Sequence, residues 1–144
     1  MLLALARFFI SQKYEPINAV RFAWWGAEEL GLKGSTHYVN DLVSRDLTSD
    51  VALYLNFDMI ASPNYKVGIY SAEMAPEAVK AGVAALEGLL GDTLRNMSVT
   101  PVPLEFNGRS DYGPFVEAGI PANGVEVRIC PRFPFLVVFG FAEF

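Results

Sequence analysis

The sequence predicts an α/β domain: a three-layer α/β/α sandwich around a mixed, largely parallel sheet. Three observations lead there. Apolar, β-branched or aromatic runs of strand length alternate with stretches of helical periodicity. Hydrophobic residues make up 52% of the chain and charged residues only 19%, with a mean hydropathy of +0.28. Such a balance fits strands buried on both faces and excludes a disordered chain. The length of 144 residues suits one domain with a real core, and no repeat, linker or low-complexity tract divides it.

From Met1 to Ile10, apolar Leu2, Leu3, Leu5, Ala6, Phe9 and Ile10 recur at helical spacing. They predict an amphipathic helix without a Ser, Thr, Asp or Asn cap, as if the chain were entered in mid-element. The run is not read as a signal peptide, because no basic residue precedes it, Arg7 interrupts it and no small-residue cleavage site follows. A polar turn with Pro16 leads to Ala19–Trp25, read as a strand and ended by Gly26. Glu28 to Val43 is read as a helix with Leu30, Tyr38, Val39 and Leu42 as its apolar face, loosened early by Gly31 and Gly34. Val51 to Ile60 is a second strand, stopped by Ser62-Pro63-Asn64, and Lys66 to Tyr70 a third. Ala75 to Leu90 is the clearest helix, with Pro76 suited to its first turn and Gly91 to its end. Ser98 to Phe106 carries Pro101 and Pro103, which confines it to a sheet edge. A loop over Asn107–Gly113, a short helix at Phe115–Ala118 closed by Gly119, and a last strand at Pro121–Val127 follow. Cys130 to Phe144 is dense in aromatics and nearly uncharged; a buried strand and a non-native tail are both open readings.

Charge and motif exclude several functions. The formal net charge is −5, and the eleven Lys and Arg form no run, so no basic face for nucleic acid is expected. No run of 18 apolar residues predicts a membrane span. The one cysteine, Cys130, cannot form an internal disulfide. No P-loop or dinucleotide fingerprint occurs.

Glu28 and Glu29 stand directly after an apolar strand and a small-residue turn, where ligands bind in open α/β sheets. As the strand breaks, the two side chains diverge, so one carboxylate is free to bind a metal while the other faces a substrate or water. The same pair also reads as first-turn helix charges, stabilised by the macrodipole. Asp58, inside Leu53–Ile60, is costly to bury unless paired or metal-bound; a structural Asp capping a loop is the other reading. Gly108-Arg109-Ser110-Asp111-Tyr112 gathers polar groups in one loop, although Ser110 or Asp111 also suits the cap of a helix near Pro114. Ser110 has no His beside it for a nucleophilic triad, and the lone His37 reads as a surface or packing residue. Two acidic strand ends on one sheet form an oxygen-rich place for a divalent metal.

Val20-Arg21-Phe22-Ala23-Trp24-Trp25-Gly26-Ala27-Glu28-Glu29-Leu30-Gly31-Leu32-Lys33-Gly34-Ser35, with Tyr38-Val39 after it, resembles the central signature of the aminopeptidase Y family. These are co-catalytic zinc aminopeptidases of the MH clan. Leu53–Asn64 and Asn107–Gly124 resemble the family's next two blocks, so the resemblance covers residues 1–124. It implies a partial zinc-peptidase catalytic domain over 1–124 and a divergent apolar tail over 125–144. By that resemblance Glu28 is the general base, Glu29 and Asp58 are zinc ligands, and Arg109 approaches the substrate's free amino end. The substrate is a peptide with a free N-terminus, the complete site holds two zinc ions, and relatives are commonly secreted or vacuolar.

The departures limit what this chain is expected to do. The family's upstream His and Asp, and its downstream Tyr-His pair, have no counterparts here, and His37 is no ligand by position. At most one partial zinc site is expected, since a zinc site takes three or more protein ligands. A non-catalytic truncated paralogue or gene-model fragment is therefore the alternative reading. Glutaminyl cyclisation or carboxypeptidase action is a third, less favoured by the Trp-Trp-Gly-Ala-Glu-Glu and Asn-Phe-Asp-Met-Ile blocks.

Overall fold

The computed structural model describes residues 1–63 and 65–129. Asn64 and the apolar stretch Cys130–Phe144 lie outside the described residues. Among the described residues there are four α-helices, α1 (Leu2–Ser11), α2 (Lys33–Ser44), α3 (Lys80–Asn96) and α4 (Gly113–Glu117), and four strands. The strands are β1 (Tyr54–Asp58), β2 (Tyr65–Tyr70), β3 (Val102–Leu104) and β4 (Ala122–Ile129). Their order in the sheet is β1-β4-β2-β3. β1 runs parallel to β4, with Tyr54 opposite Ala122 and Asp58 opposite Glu126. β2 is antiparallel to β4 and parallel to β3. The sheet is thus mixed, with parallel pairs in the majority.

Strand pleat assigns the two faces. Even-numbered Tyr54, Asn56, Asp58, Ala122, Gly124 and Glu126 share one face. There Tyr54 stacks flat on Phe115 of α4 at 4.0 Å between centroids, and Tyr38 of α2 meets the same ring. On the opposite face the Asn123 amide reaches the Val83 carbonyl of α3 at 3.5 Å. Helices therefore cover both faces of the sheet, as a three-layer α/β/α domain requires. The core joins Val39 and Leu42 of α2, Val83 of α3, Phe115 and Val116 of α4, and Tyr70, Leu104 and Ala122 of the sheet.

Two contacts fasten the central strand. The β2–β4 ladder ends at the Ile69–Val125 pair, and the fully buried Asn123 side chain supplies one more rung. Its Oδ1 accepts the Tyr70 N–H at 3.1 Å and its Nδ2 donates to the Tyr70 carbonyl at 2.9 Å. Gly124 lies against β1 so closely that a Cβ there would sit 1.8 Å from the Asn56 carbonyl oxygen. No side chain fits in that space.

Several elements differ from the sequence reading. Ala19–Trp25 forms no strand, because a strand exists only beside a neighbour that completes its ladder. Among the described residues no backbone hydrogen bond reaches 19–25, and side chains hold the segment instead. The Arg21 guanidinium donates to the Tyr38 hydroxyl and lies over the Tyr38 ring. α2 begins at Lys33, not Glu28, since Ala27 (φ 56°), Gly31 (φ 94°) and Leu32 (φ 55°) adopt left-handed conformations that break a helix. α3 begins after a 3₁₀ turn at Ala72–Met74, so Pro76 precedes the helix. Gly91 lies inside α3, buried, because a single helical glycine costs only about 1 kcal/mol. β1 is shorter than Val51–Ile60, ending where Met59 turns left-handed (φ 49°), and β4 runs on past Val127 to Ile129. The expected amphipathic helix at the start does form as α1, yet it buries none of its residues; Phe9 meets Tyr14 and Phe22 edge-on. No helix among the described residues is long and apolar enough to cross a membrane.

Replacing Gly124 with alanine is expected to force β1 away from β4 and to lower stability by about 3 kcal/mol or more. Urea unfolding measures this loss; an unchanged midpoint would contradict the close approach.

Candidate active site

The site forms at the carboxyl end of β1, where the loop 26–32, the end of β1 and the loop before α4 come together. The first loop is compact. The Glu28 carbonyl accepts the Gly31 and Leu32 N–H groups at 3.0 and 2.8 Å, and the Lys33 and Gly34 N–H groups bond back to Ala27 and Gly26. A Cβ on Gly34 would lie 2.8 Å from the Gly26 backbone, so the loop closes only around glycine. Glu28 and Glu29 sit on this loop. No acidic residue occupies the first turn of α2, which rules out the helix-start role for the pair. Glu28 is half-buried and Glu29 exposed.

Asp58 ends β1, half-buried, and its Oδ2 accepts a 2.6 Å hydrogen bond from the Ser110 hydroxyl. Asp111 is buried, and its Oδ1 accepts a 2.6 Å bond from the Ser35 hydroxyl in the first turn of α2. Ser110 and Asp111 therefore serve the site and not a helix: α4 has no side-chain cap. Arg109 is exposed in the same loop and makes no ion pair among the described residues. His37 is exposed on α2.

The acids feel one another. Burial, then the charges of Glu29, Asp58 and Asp111, raise the Glu28 carboxyl above its ordinary range. Asp111 is raised by burial and by Asp58, against the lowering effect of its bond from Ser35. Each shift marks a carboxylate held where charge is disfavoured. Left-handed Ala27 and Met59 adjoin Glu28 and Asp58. L-residues adopt this conformation at a cost of about 1–2 kcal/mol each, so the backbone is strained on both sides of the site.

The structure thus brings together Glu28, Glu29 and Asp58 of the residues singled out from sequence, and leaves His37 on the surface. It adds Asp111, Ser110, Ser35, Asn56 and Tyr54. Ser110 and Asp111 were visible as a polar cluster in one loop. Nothing local marked the other three, which reach the site through partners distant in the chain: Tyr54 through Trp25, Asn56 through Ser110 and Ser35 through Asp111.

Comparison with known proteins places this geometry. Residues 1–135 match peptidase family M28. A protein described as probable leucine aminopeptidase 2 from Aspergillus fumigatus is 47% identical over 124 residues, covering 85% of this chain and 23% of that protein. Leucine aminopeptidase 2 from Trichophyton rubrum is 47% identical over 110 residues, covering 75% of this chain and 22% of that protein. The crystal structure of BSAP, a zinc aminopeptidase from Bacillus subtilis, superposes with a TM-score of 0.53 at 25% identity, covering 75% of this chain and 25% of that one. The chain spans about a quarter of the length of these relatives. Carboxylates gathered at the end of a parallel-paired strand, a family match over residues 1–135 and 47% identity to fungal leucine aminopeptidases over the aligned stretch make this chain a member of peptidase family M28.

Proposed function

We propose that this chain is the carboxylate-bearing part of a zinc aminopeptidase, which hydrolyses N-terminal residues from peptides. The observation that carries the reading is the gathering of Glu29, Asp58 and Asp111 around Glu28 at the carboxyl end of β1, close enough for their charges to act on its carboxyl, within a chain of the M28 family. In this reading Glu28 is the general base, Glu29 and Asp58 are metal ligands, and Arg109 stands near the substrate's free amino end. The raised pKa suits Glu28 to its task, because a carboxylate of higher pKa takes a proton from water more readily and still returns it to the leaving amine. Substrates are peptides with a free N-terminus, with large apolar first residues as the family-level expectation. The complete domain holds two zinc ions and is secreted or vacuolar, in line with the family it resembles.

The residues described here do not make that metal site. Among them no group of three His, Cys, Asp or Glu is arranged to hold a metal ion, whereas zinc takes at least three protein ligands. Glu29 and Asp58 supply at most two donors, and the chemistry these residues perform unaided stops at proton transfer by Glu28. That shortfall favours a second reading for the chain acting alone, as a non-catalytic part of the family's domain.

Purified protein given leucine p-nitroanilide and zinc is expected to show no efficient turnover. Robust hydrolysis that disappears in Glu28→Gln would show that these residues suffice and would overturn the incomplete site. The ligand assignment has a separate check in thermal unfolding. Zinc in excess is expected to raise the midpoint slightly, and Glu29→Gln and Asp58→Asn to remove the rise; variants responding like the parent would sink the assignment. Asp111 gives a pH dependence. Its carboxyl is raised in the folded chain above the ordinary value of 3.8, so its contribution to stability is full below that pH and is lost as pH rises through the folded value. Metal-free protein is expected to lose stability over that interval, and Asp111→Asn to remove this component of the slope, as followed by urea unfolding at successive pH values.

A further inference from the structure

A single file of hydrogen bonds crosses the site. The Trp25 indole N–H donates to the Tyr54 hydroxyl oxygen at 2.9 Å, and the Tyr54 hydroxyl donates to Asn56 Oδ1 at 2.9 Å. The Asn56 amide then donates to Ser110 Oγ at 2.7 Å, and the Ser110 hydroxyl donates to Asp58 Oδ2 at 2.6 Å. An indole nitrogen only donates and a carboxylate only accepts. With both ends fixed, each hydroxyl proton and the Asn56 amide have one orientation that completes the chain. Burial pushes the Tyr54 hydroxyl up to about 12, so it keeps the proton it donates. Asn56 and Ser110 are themselves buried, where a broken link leaves a polar group without a partner.

The chain joins two parts that the backbone leaves unjoined. Trp25 belongs to the segment leading into Glu28 and Glu29, which has no ladder bond to the sheet among the described residues. Asp58 ends β1. We propose that Trp25, Tyr54, Asn56 and Ser110 are positioning residues, a one-way hydrogen-bond relay that sets the Glu28–Glu29 loop against Asp58. Ser110 engages Oδ2 of Asp58, while no donor among the described residues bonds Oδ1, so the relay also selects which oxygen is available. Its meaning for catalysis rests on the reading of Glu28 and Asp58 as reacting groups, but its existence does not.

The test is made on metal-free protein, so its outcome is independent of zinc binding and of peptide hydrolysis. In proton NMR, Ser110→Ala is expected to move the Trp25 indole resonance upfield, because losing one link weakens its neighbours. Ser110→Thr, which keeps a hydroxyl, restores it, and the exposed Trp24 indole is the control that stays put. In a Tyr54→Phe background, which cuts the relay in its middle, Ser110→Ala no longer moves the indole. A cycle of Trp25→Phe with Ser110→Ala is expected to show coupling of at least about threefold in the unfolding constant, beyond what separate sites give. A Trp25 resonance unmoved by Ser110→Ala, or additive effects in the cycle, overturns the proposal. Should Ser110→Ala fail to fold, Asp58→Ala removes the terminal acceptor, and an unmoved indole there overturns it equally.

Discussion

The contact of Gly124 with Asn56 governs the rest of the structure. It lets β4 lie flush against β1, and the resulting register puts Asp58 opposite Glu126 and Asn56 opposite Gly124. That register turns the Asn56 and Asp58 side chains to the face where Ser110 waits. One face later, the Asn123 side chain completes the rung that the β2–β4 ladder lacks and ties in α3. The consequence reaches Tyr70, whose backbone is held by Asn123 and whose hydroxyl donates to Glu126 at 2.8 Å. A slip of one residue between β1 and β4 would turn Asp58 to the opposite face. Core packing and site geometry therefore depend on the same pair of strands.

The site itself works against stability. Burial and mutual repulsion disfavour the charges on Glu28 and Asp111, and left-handed Ala27 and Met59 add backbone strain. Short hydrogen bonds to Asp58 and Asp111 from Ser110 and Ser35 offset part of this, since bonds to a charged acceptor are the stronger kind. Among the described residues no buried side-chain nitrogen or oxygen lacks a hydrogen-bond partner. The buried part of the polar network is thus satisfied, which is the condition under which buried polarity fixes one geometry instead of costing stability. Several acids gathered at one strand end, with carboxyls raised by burial and by each other's charge, mark this place as the candidate functional site.

Much of the fold was legible because hydrophobic period reports local structure. The helix at Leu2–Ser11, the strands around Asp58 and Tyr70, the proline-marked edge strand and the short helix after Gly113 all follow from patterns within about ten residues. Misreadings arose where tertiary partners decide. Ala19–Trp25 has strand composition but no ladder among the described residues, and Gly91 is a stop signal that α3 passes through. Residue type and strand position identified Glu28, Glu29 and Asp58 as candidates, and the family resemblance gave them roles. The supporting groups stayed hidden because their contacts are long-range: Trp25 to Tyr54 spans 29 residues, Ser110 to Asp58 spans 52, and Ser35 to Asp111 spans 76. Nothing within a local window distinguishes a serine that orients a carboxylate from one that caps a helix.

Those separations also explain how clear family membership coexists with too few grouped donors, among the described residues, to hold a metal ion. A site at the carboxyl ends of a sheet collects one or two groups from each strand or loop that reaches it. Folding of the sheet needs only the strands that pair, and these bring their own residues into place whatever the other strands contribute. Several carboxylates and their hydrogen-bonded supports are what β1 and the loops around it carry. A chain spanning about a quarter of its relatives' length thus keeps the fold of its own share. Metal affinity does not scale in that way, because each missing ligand removes a bond and leaves the remaining carboxylates repelling one another without a cation between them. Geometry is inherited piecewise, whereas the metal needs the complete set of ligands at once.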